Sequence, residues 1–145
     1  MKNILIKTFI FVFLLFACLA STERNLAQAG PLNAVGYYNI GVDYAEAGRW
    51  QEAIDAFKQA ITLKPDYVEA YNNLGNAYGE LGRYQEAIVA YKQAIKLKPD
   101  DALAHYGLGI AYLIIRDKGS ALEEYKRLKT LNPELANKLF NLINN

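Results

Sequence analysis

The chain has 145 residues, of which 52% are hydrophobic and 21% charged, and this is the profile of one folded soluble domain. Because its 16 basic and 15 acidic residues nearly cancel, no field of one sign exists to attract nucleic acid or an anionic membrane surface. The charge balance therefore predicts no nucleic-acid partner. One Cys and one His can form neither an internal disulfide nor a Cys/His metal cluster, so we expect no metal, and we expect no other cofactor.

Residues 1–29 predict an export segment followed by a linker. Lys2 and Lys7 precede an uncharged, mostly apolar stretch at residues 8–22, which is the layout of a secretory signal peptide. The stretch is shorter than the roughly 20 apolar residues that a membrane-spanning helix needs, so a permanent protein anchor is the weaker interpretation. We therefore expect the chain to be exported.

Three processing sites remain open within this segment. Residues 14–18 have the sequence LLFAC, which resembles the lipobox of bacterial lipoproteins and implies cleavage before Cys18, with a lipid on its thiol. The alternatives are an A-x-A site at residues 27–29, with cleavage before Gly30, and a small-x-small site at residues 18–20. The expected location is the bacterial envelope, either free in the periplasm or tethered to a membrane by a lipid at Cys18.

The remainder of the chain is dominated by a tandem repeat at residues 34–67, 68–101 and 102–135. The first two copies share long stretches, GRWQEAIDAFKQAITLKPD in one and GRYQEAIVAYKQAIKLKPD in the other, and all three copies align without a gap. A gapless tandem array indicates a solenoid, in which each repeat packs against its neighbours.

Each repeat is predicted to form two helices. In the second repeat, Gly82 ends the first helix and Pro99 follows the second, because Gly favours the terminating conformation and Pro cannot continue a helix. Asp100 and Asp101 are expected to offer side-chain oxygens that cap the helix of the next repeat, as Asp66 does one repeat earlier. Apolar residues recur at helical steps of three and four at Ala70, Leu74, Ala77, Tyr78 and Leu81, and again from Tyr84 to Leu97.

Small residues predict the closest contacts between these helices. Gly75 and Ala87 lie where the two helices of a repeat approach each other, and Ala94 lies where the first helix of the next repeat docks.

The repeat resembles the tetratricopeptide repeat (TPR). The third copy departs from that pattern with His105 for the aromatic residue, Arg116 for the turn glycine and Leu128 for the second alanine. The resemblance implies an all-α fold, a right-handed α-solenoid of three helix-turn-helix repeats. In the second copy it is carried by Tyr71, Leu74, Gly75, Tyr78, Ala87, Tyr91, Ala94 and Pro99, and in the first by Tyr37, Ile40, Gly41, Tyr44, Ala53, Phe57, Ala60 and Pro65.

Residues 133–145 are predicted to form a C-terminal capping helix. Asn132 and Pro133 suit the N-cap and the first helical position. The stripe that would cover the apolar end of the third repeat is Leu135, Leu139, Leu142 and Ile143. The alternative is a free amphipathic helix that docks onto a partner.

Side chains suited to catalysis are scarce. The only serines are Ser21 and Ser120, and His105 lies on a helix face that packs against the preceding repeat. The acidic pair at residues 100–101 begins a helix, where acids favour the helix dipole, and the pair at residues 123–124 is expected to face water. We therefore predict that the protein is not an enzyme and has no small-molecule substrate.

The resemblance places the first helix of each repeat along the concave face of the solenoid, and helical spacing then selects the side chains of that face. Asn39 and Asn73 hold equivalent places one repeat apart, and an Asn amide both donates and accepts hydrogen bonds. The pair is similar to the asparagine ladder of sugar-transferase repeat arrays, which implies contacts to a peptide backbone. The candidate peptide-binding residues are Tyr38, Asn39, Val42, Glu69, Asn72, Asn73, Asn76, Tyr106 and Ile110, with Glu46 and Glu80 on the same edge.

The predicted function is a non-enzymatic scaffold that binds a peptide or protein segment in this groove, as an assembly or adaptor factor of the envelope. Arrays that clamp the C-terminal carboxylate of chaperones need Lys and Arg in the third repeat, where this chain has Leu103 and Gly107. A buried carboxylate would be left unpaired there, which is strongly unfavourable. The alternative function is self-association into a homo-oligomer through the apolar third repeat or the C-terminal helix.

Overall fold

The computed structural model describes residues 32–144, and these residues form seven α-helices and no strand. Two helices per repeat and one after the third repeat confirm the predicted all-α solenoid. None of the seven is both long and apolar enough to cross a membrane. The export segment, with Cys18 and the processing sites, lies outside the described residues. The helices are α1 (Ala34–Glu46), α2 (Trp50–Leu63), α3 (Val68–Glu80), α4 (Tyr84–Leu97), α5 (Ala102–Ile114), α6 (Lys118–Leu131) and α7 (Pro133–Asn144).

Neighbouring helices pack in sequence order. Within the repeats, α1 packs on α2, α3 on α4 and α5 on α6, while α2 contacts α3 and α4 contacts α5 across the repeat boundaries. The first helices also contact one another directly, α1 with α3 and α3 with α5. They therefore lie side by side and form one continuous face.

A residue in the left-handed conformation follows the first helix of every repeat. The φ angle is 71° at Gly48, 72° at Gly82 and 65° at Arg116. Gly82 ends α3 as predicted, since Gly adopts a positive φ without a steric penalty. Arg116 adopts the same conformation with a side chain present, so the third repeat keeps the turn at the expense of backbone strain.

Asp101 caps α5 as predicted, because its side chain accepts two backbone N–H groups of the first turn at 3.0 and 3.3 Å. The predicted cap of α3 by Asp66 is wrong. The N-cap residue of α3 is Tyr67, which makes no side-chain capping hydrogen bond. Tyr67 aligns with Asp101 in the repeat, so Asp66 lies one position too early, and the buried Tyr67 ring packs against Tyr38 instead.

Glycine permits the closest contact between the helices of the first two repeats, as predicted for Gly75. A Cβ atom on Gly75 would lie 2.7 Å from the Tyr91 ring, and one on Gly41 would lie 2.5 Å from the Phe57 ring. Both rings are buried in the core. Ala94, where the next repeat docks, is fully buried.

Helix α7 covers the open end of the third repeat, where it packs on α5 and α6. It begins at Pro133, and the Asn132 side-chain oxygen accepts the backbone N–H of Leu135 at 3.1 Å. Both residues therefore have the predicted roles at the helix start.

The buried stripe of α7 consists of Ala136, Leu139 and Ile143, which form one hydrophobic cluster with Leu128 of α6. This packing confirms the capping helix. The prediction is wrong for Leu142, whose side chain is 49% exposed. The stripe follows steps of three and four through residues 136, 139 and 143, and this leaves Leu142 on the outer side.

Candidate functional site

One groove runs along the face formed by α1, α3 and α5, and we refer to it below as the groove. Its volume is about 880 Å³. It is lined from α1 by Val42, Ala45 and Glu46, from α3 by Asn72, Asn73, Asn76, Gly79 and Glu80, from α5 by Leu103, Tyr106, Gly107, Ile110, Ala111 and Ile114, and from the second helices by Trp50, Phe57, Tyr84, Ala87 and Tyr91.

Most of the candidate residues meet in this groove, namely Val42, Asn72, Asn73, Asn76, Tyr106 and Ile110. Tyr38 is half-buried and packs its ring against Phe57 and Tyr67, at centroid distances of 5.9 and 5.0 Å. Asn39 and Glu69 are exposed and are not part of the groove lining. Peptide contacts by all of these residues stay predictions.

Asn72 is held by a contact between two repeats. Its Nδ2 donates a hydrogen bond of 3.0 Å to Oδ2 of Asp101, the residue that caps α5. Because a carboxylate only accepts, this contact fixes the orientation of the amide. The Oδ1 atom of Asn72 is buried and has no hydrogen-bond partner among residues 32–144. The wall of the groove thus contains an acceptor whose hydrogen bond is unmet.

Asn73 also makes an internal hydrogen bond. Its Nδ2 donates to the Tyr38 hydroxyl at 3.0 Å, across the boundary between the first two repeats. Tyr38 therefore lies behind Asn73 as a supporting residue. The structure does not bring Asn39 into the same groove wall, so the two predicted rungs of the asparagine ladder differ in their surroundings.

Asn76 receives a hydrogen bond from the core. The Tyr91 hydroxyl donates to its Oδ1 at 2.6 Å. Burial raises the pKa of the Tyr91 hydroxyl, so the group stays protonated and remains a donor. The amide nitrogen of Asn76, which is exposed, is left facing the groove side of the helix.

Four aromatic residues of the second helices line the groove outside the predicted set, of which Phe57 and Tyr91 are buried core residues and Trp50 and Tyr84 are partly exposed. Trp50 and Tyr84 are the first residues of α2 and α4, and both line the groove. They hold equivalent places in the first two repeats, so a repeated aromatic directly after each turn was the available signal. The prediction overlooked it because it assigned the concave face to the first helices alone.

Gly79 is a helical glycine whose lack of a side chain is not explained by packing. A Cβ atom at this position would meet no atom within 4 Å. By contrast, Cβ atoms on Gly75 and Gly107 would lie 2.7 and 2.5 Å from the Tyr91 ring. Glycine inside a helix lowers stability by about 0.8–1.0 kcal/mol relative to Ala. The lack of a side chain at Gly79 leaves open space beside the helix, where Gly79 lines the groove.

The charged groups of the groove lining have one sign. Glu46 and Glu80 are its only charged residues, and no Lys or Arg is among the lining residues. Each ends its helix, since Glu46 is the last residue of α1 and Glu80 the last of α3. Neither makes an ion pair with another residue of the described part of the chain.

His105 is a structural residue of the third repeat, as predicted. It is 2% exposed, and its Nδ1 and Nε2 lie 2.5 Å from Glu124 Oε2 and 2.9 Å from the Pro99 carbonyl oxygen. The expectation that Glu124 faces water is wrong, because its side chain is half-buried against His105. Within residues 32–144, no group of three or more His, Cys, Asp or Glu side chains could hold a metal ion.

The fold and the groove define a class of helical repeat proteins, and comparison with known families agrees. The family model described as TPR repeat matches residues 41–82 and 75–113. The chain belongs to the tetratricopeptide repeat family. No match was found among curated proteins.

Three solved structures are similar to this chain over most of their length. The TPR2B domain of yeast Sti1, solved as a pHsp70 complex, has a TM-score of 0.72 and 23% identity, covering 77% of this chain and 95% of that chain. The first TPR of Spaghetti (RPAP3), bound to the HSP90 peptide SRMEEVD, has a TM-score of 0.72 and 24% identity, covering 76% and 90%. MamA has a TM-score of 0.71 and 26% identity, covering 83% and 81%. The first two likenesses show the shared fold.

Proposed function

We propose that this chain is a non-enzymatic interaction module that holds an extended peptide or protein segment in the groove. The TPR fold is a protein-interaction fold, and two of the similar structures contain chaperone partners, pHsp70 and an HSP90 peptide. The groove supports the same mode of action here because it is concave, largely apolar and lined by a few amides and carboxylates.

Gly79 is the observation that carries this proposal. It lines the groove, and a Cβ atom placed on it would meet no atom within 4 Å beyond its chain neighbours and the backbone of its own helix. A residue that lowers helix stability without a packing reason is explained if a bound segment must approach the helix backbone closely. The open space at Gly79 is then the space that the ligand fills.

The partner we propose differs from an acidic chaperone tail. The peptide SRMEEVD bound to RPAP3 carries three carboxylate side chains and one Arg. Here Glu46 and Glu80 would repel such a peptide, and no Lys or Arg of the groove lining would attract it. The groove is therefore proposed to select a segment of different charge.

The proposed setting is the bacterial envelope, where the module would serve as a scaffold or adaptor. The support is the signal-like stretch at residues 8–22 and the lipobox-like LLFAC at residues 14–18. Lipid on Cys18 would tether the repeats to a membrane surface. Metabolic labelling with a clickable fatty acid, compared between the native chain and Cys18→Ala, tests this part of the proposal.

Gly79→Ala and Gly79→Phe, two side chains of increasing size at one position, test the groove. Peptides selected from a random display library on the full chain are titrated against all three proteins. We expect Gly79→Ala to bind severalfold more weakly than the native chain and Gly79→Phe at least about tenfold more weakly, because the methyl group enters the space of the ligand and the ring fills it. Equal affinity for Gly79→Phe and the native chain, or no selected peptide at all, contradicts the proposal.

Self-association is a second candidate function, favoured by the outer face of α7. Phe140 and Leu142 are 44% and 49% exposed on this helix. Exposed apolar side chains of this size on one helix are suited to contact a second copy. Sedimentation velocity at two concentrations, for the native chain and for Leu142→Gln, distinguishes the candidates. A concentration-dependent shift that Leu142→Gln removes would support self-association.

A further inference from the structure

We propose that the segment bound in the groove carries a Lys or Arg side chain next to apolar residues, so that the module is a receptor for basic, partly apolar segments. This inference rests on the peptide-binding function proposed above and names the chemistry of its partner. Three features of the groove lining support it: the sign of its charges, its unoccupied aromatic rings and its apolar wall.

The two acidic residues of the lining have the wrong sign for helix stability. The C-terminal end of a helix carries partial negative charge, which favours cationic side chains there. Glu46 and Glu80 nevertheless end α1 and α3, and neither helix has a basic residue in its last turn. The same unfavourable choice occurs at equivalent places of two repeats, in the groove lining both times. A bound cation would relieve both carboxylates and both helix ends.

The aromatic residues beside these helix ends can receive a cation. Trp50 and Tyr84 line the groove at the start of the helices that follow Glu46 and Glu80. The chain uses cation–π contacts at nearby rings, with Arg49 4.5 Å from the Tyr44 centroid and the same arrangement one repeat later. Among the described residues, no Lys or Arg occupies the Trp50 or Tyr84 ring in this way. Both rings are therefore available to a cationic side chain of the partner.

The rest of the segment contacts an apolar wall formed by α5. Leu103 and Ile114 are 66% and 48% exposed, and Tyr106 and Ile110 lie between them along the same helix. In the third repeat Ile114 takes the place that Glu46 and Glu80 hold in the first two. The groove therefore changes from acidic to apolar along its length, which matches a segment with separate basic and apolar parts.

Trp50 is the only Trp of the chain, and it lines the groove, so its fluorescence reports occupancy directly. The probes are three acetylated, amidated peptides with one apolar frame, ALKLKA, ALQLQA and ALELEA, titrated into the full chain at low and at raised salt. We expect ALKLKA to bind about tenfold more tightly than ALQLQA at low salt. Added salt should reduce this preference, because the carboxylates are near the surface.

Charge-neutralising variants locate the effect. Glu46→Gln and Glu80→Gln should each weaken ALKLKA by about two- to fivefold and leave ALQLQA unchanged. Asp66→Asn makes the same charge change at an exposed residue outside the groove lining and should alter neither affinity.

Each remaining outcome overturns the inference in a recognisable way. Equal binding of ALKLKA and ALQLQA to the native chain, or tightest binding of ALELEA, overturns the basic partner while peptide binding stands. A loss with Asp66→Asn equal to that with Glu80→Gln would mean that net charge, not the groove, attracts the peptide. If none of the three peptides changes the Trp50 fluorescence, the proposed function falls together with the inference.

Discussion

Glu124 of α6 places its Oε2 atom 2.5 Å from Nδ1 of His105 on α5, inside the third repeat. The other ring nitrogen of His105 lies 2.9 Å from the carbonyl oxygen of Pro99. A carboxylate and a carbonyl only accept hydrogen bonds, so both contacts are satisfied when the ring is protonated and donates from both nitrogens. The hydrogen bond to Glu124 raises the pKa of His105, and this effect outweighs the lowering by burial.

This pair makes the stability of the array dependent on pH. The folded-state pKa of His105 is raised above the unfolded value of about 6.5, so the stabilisation is fully present below pH about 6.5. It is lost as the pH rises through the folded-state pKa. We expect the free energy of unfolding to fall over that range by at most about 1.4 kcal/mol per pH unit. Urea denaturation at a series of pH values measures the slope.

Glu124→Gln is the control for this pH dependence. The substitution keeps the size of the side chain and removes the charge that favours the imidazolium, so the slope above pH about 6.5 should shrink. His105→Tyr, which restores the aromatic residue found at Tyr37 and Tyr71, should abolish it. A slope that persists in His105→Tyr would assign the pH dependence to another group.

Gly75→Ala and Gly79→Ala make the same change on one helix with opposite expected results. The Cβ atom at Gly75 would lie 2.7 Å from the Tyr91 ring, which the bond from its hydroxyl to Asn76 holds in place. Gly75→Ala should therefore lower the free energy of unfolding by about 1–3 kcal/mol. At Gly79 the methyl group meets no atom within 4 Å, so Gly79→Ala should raise the free energy of unfolding by up to about 1 kcal/mol. Urea denaturation measures both variants, and similar losses in the two would contradict the difference in free space around the two glycines.

The fold was predictable from the sequence because its signals are local and repeated three times. Gly82 and Asn132 act on the backbone of their own turn, so their roles follow from residue type alone. The prediction was wrong at Asp66, because the N-cap of α3 is the next residue, Tyr67, and Asp66 is exposed. The same limit applies to Leu142, because helical spacing gives the width of an apolar stripe but not its centre.

The groove was only partly predictable, because spacing gives the direction of a side chain from its own helix and not its neighbours. Val42 and Tyr106 were assigned correctly to the lining by their places on first helices. The pairing of Asn72 with Asp101, and the lining by Trp50 and Tyr84, depend on how separate helices meet in three dimensions. The local sequence pattern of one helix does not predict these contacts between helices.

Asn73→Ala and Asn39→Ala separate the two rungs of the predicted asparagine ladder. Asn73 lines the groove and donates a hydrogen bond to Tyr38, so Asn73→Ala should lower stability by about 0.5–1.5 kcal/mol and weaken peptide binding. Asn39 is exposed and outside the lining, so Asn39→Ala should change stability by less than about 0.5 kcal/mol and leave affinity unchanged. Thermal melts and peptide titrations test both. Equal loss of affinity in the two variants would restore the ladder as predicted.

Arg116→Gly should stabilise the third repeat. Arg116 has a φ angle of 65°, in the region that Gly48 and Gly82 occupy at the equivalent turns. A side chain in this conformation is unfavourable by about 1–2 kcal/mol, and the greater freedom of Gly in the unfolded chain offsets part of that. We expect a net gain of about 0.5–1 kcal/mol in the free energy of unfolding by urea denaturation. Gly48→Ala should produce a loss of similar size, and a gain there would show that the turn tolerates a side chain.

Leu139→Ala tests the capping role of α7, with Leu142→Ala as the matched control on the same helix. Leu139 is fully buried, and its Cδ2 lies 2.5 Å from where a Cβ atom on Gly109 would be, so it fills the space beside α5. Its truncation should lower the free energy of unfolding by about 2–5 kcal/mol through lost burial and the cavity left behind. Leu142 is 49% exposed, and the same truncation there should change it by less than about 0.5 kcal/mol. Urea denaturation measures both; if the two variants are equally stable, α7 does not cap the array and its apolar stripe is free to bind a partner.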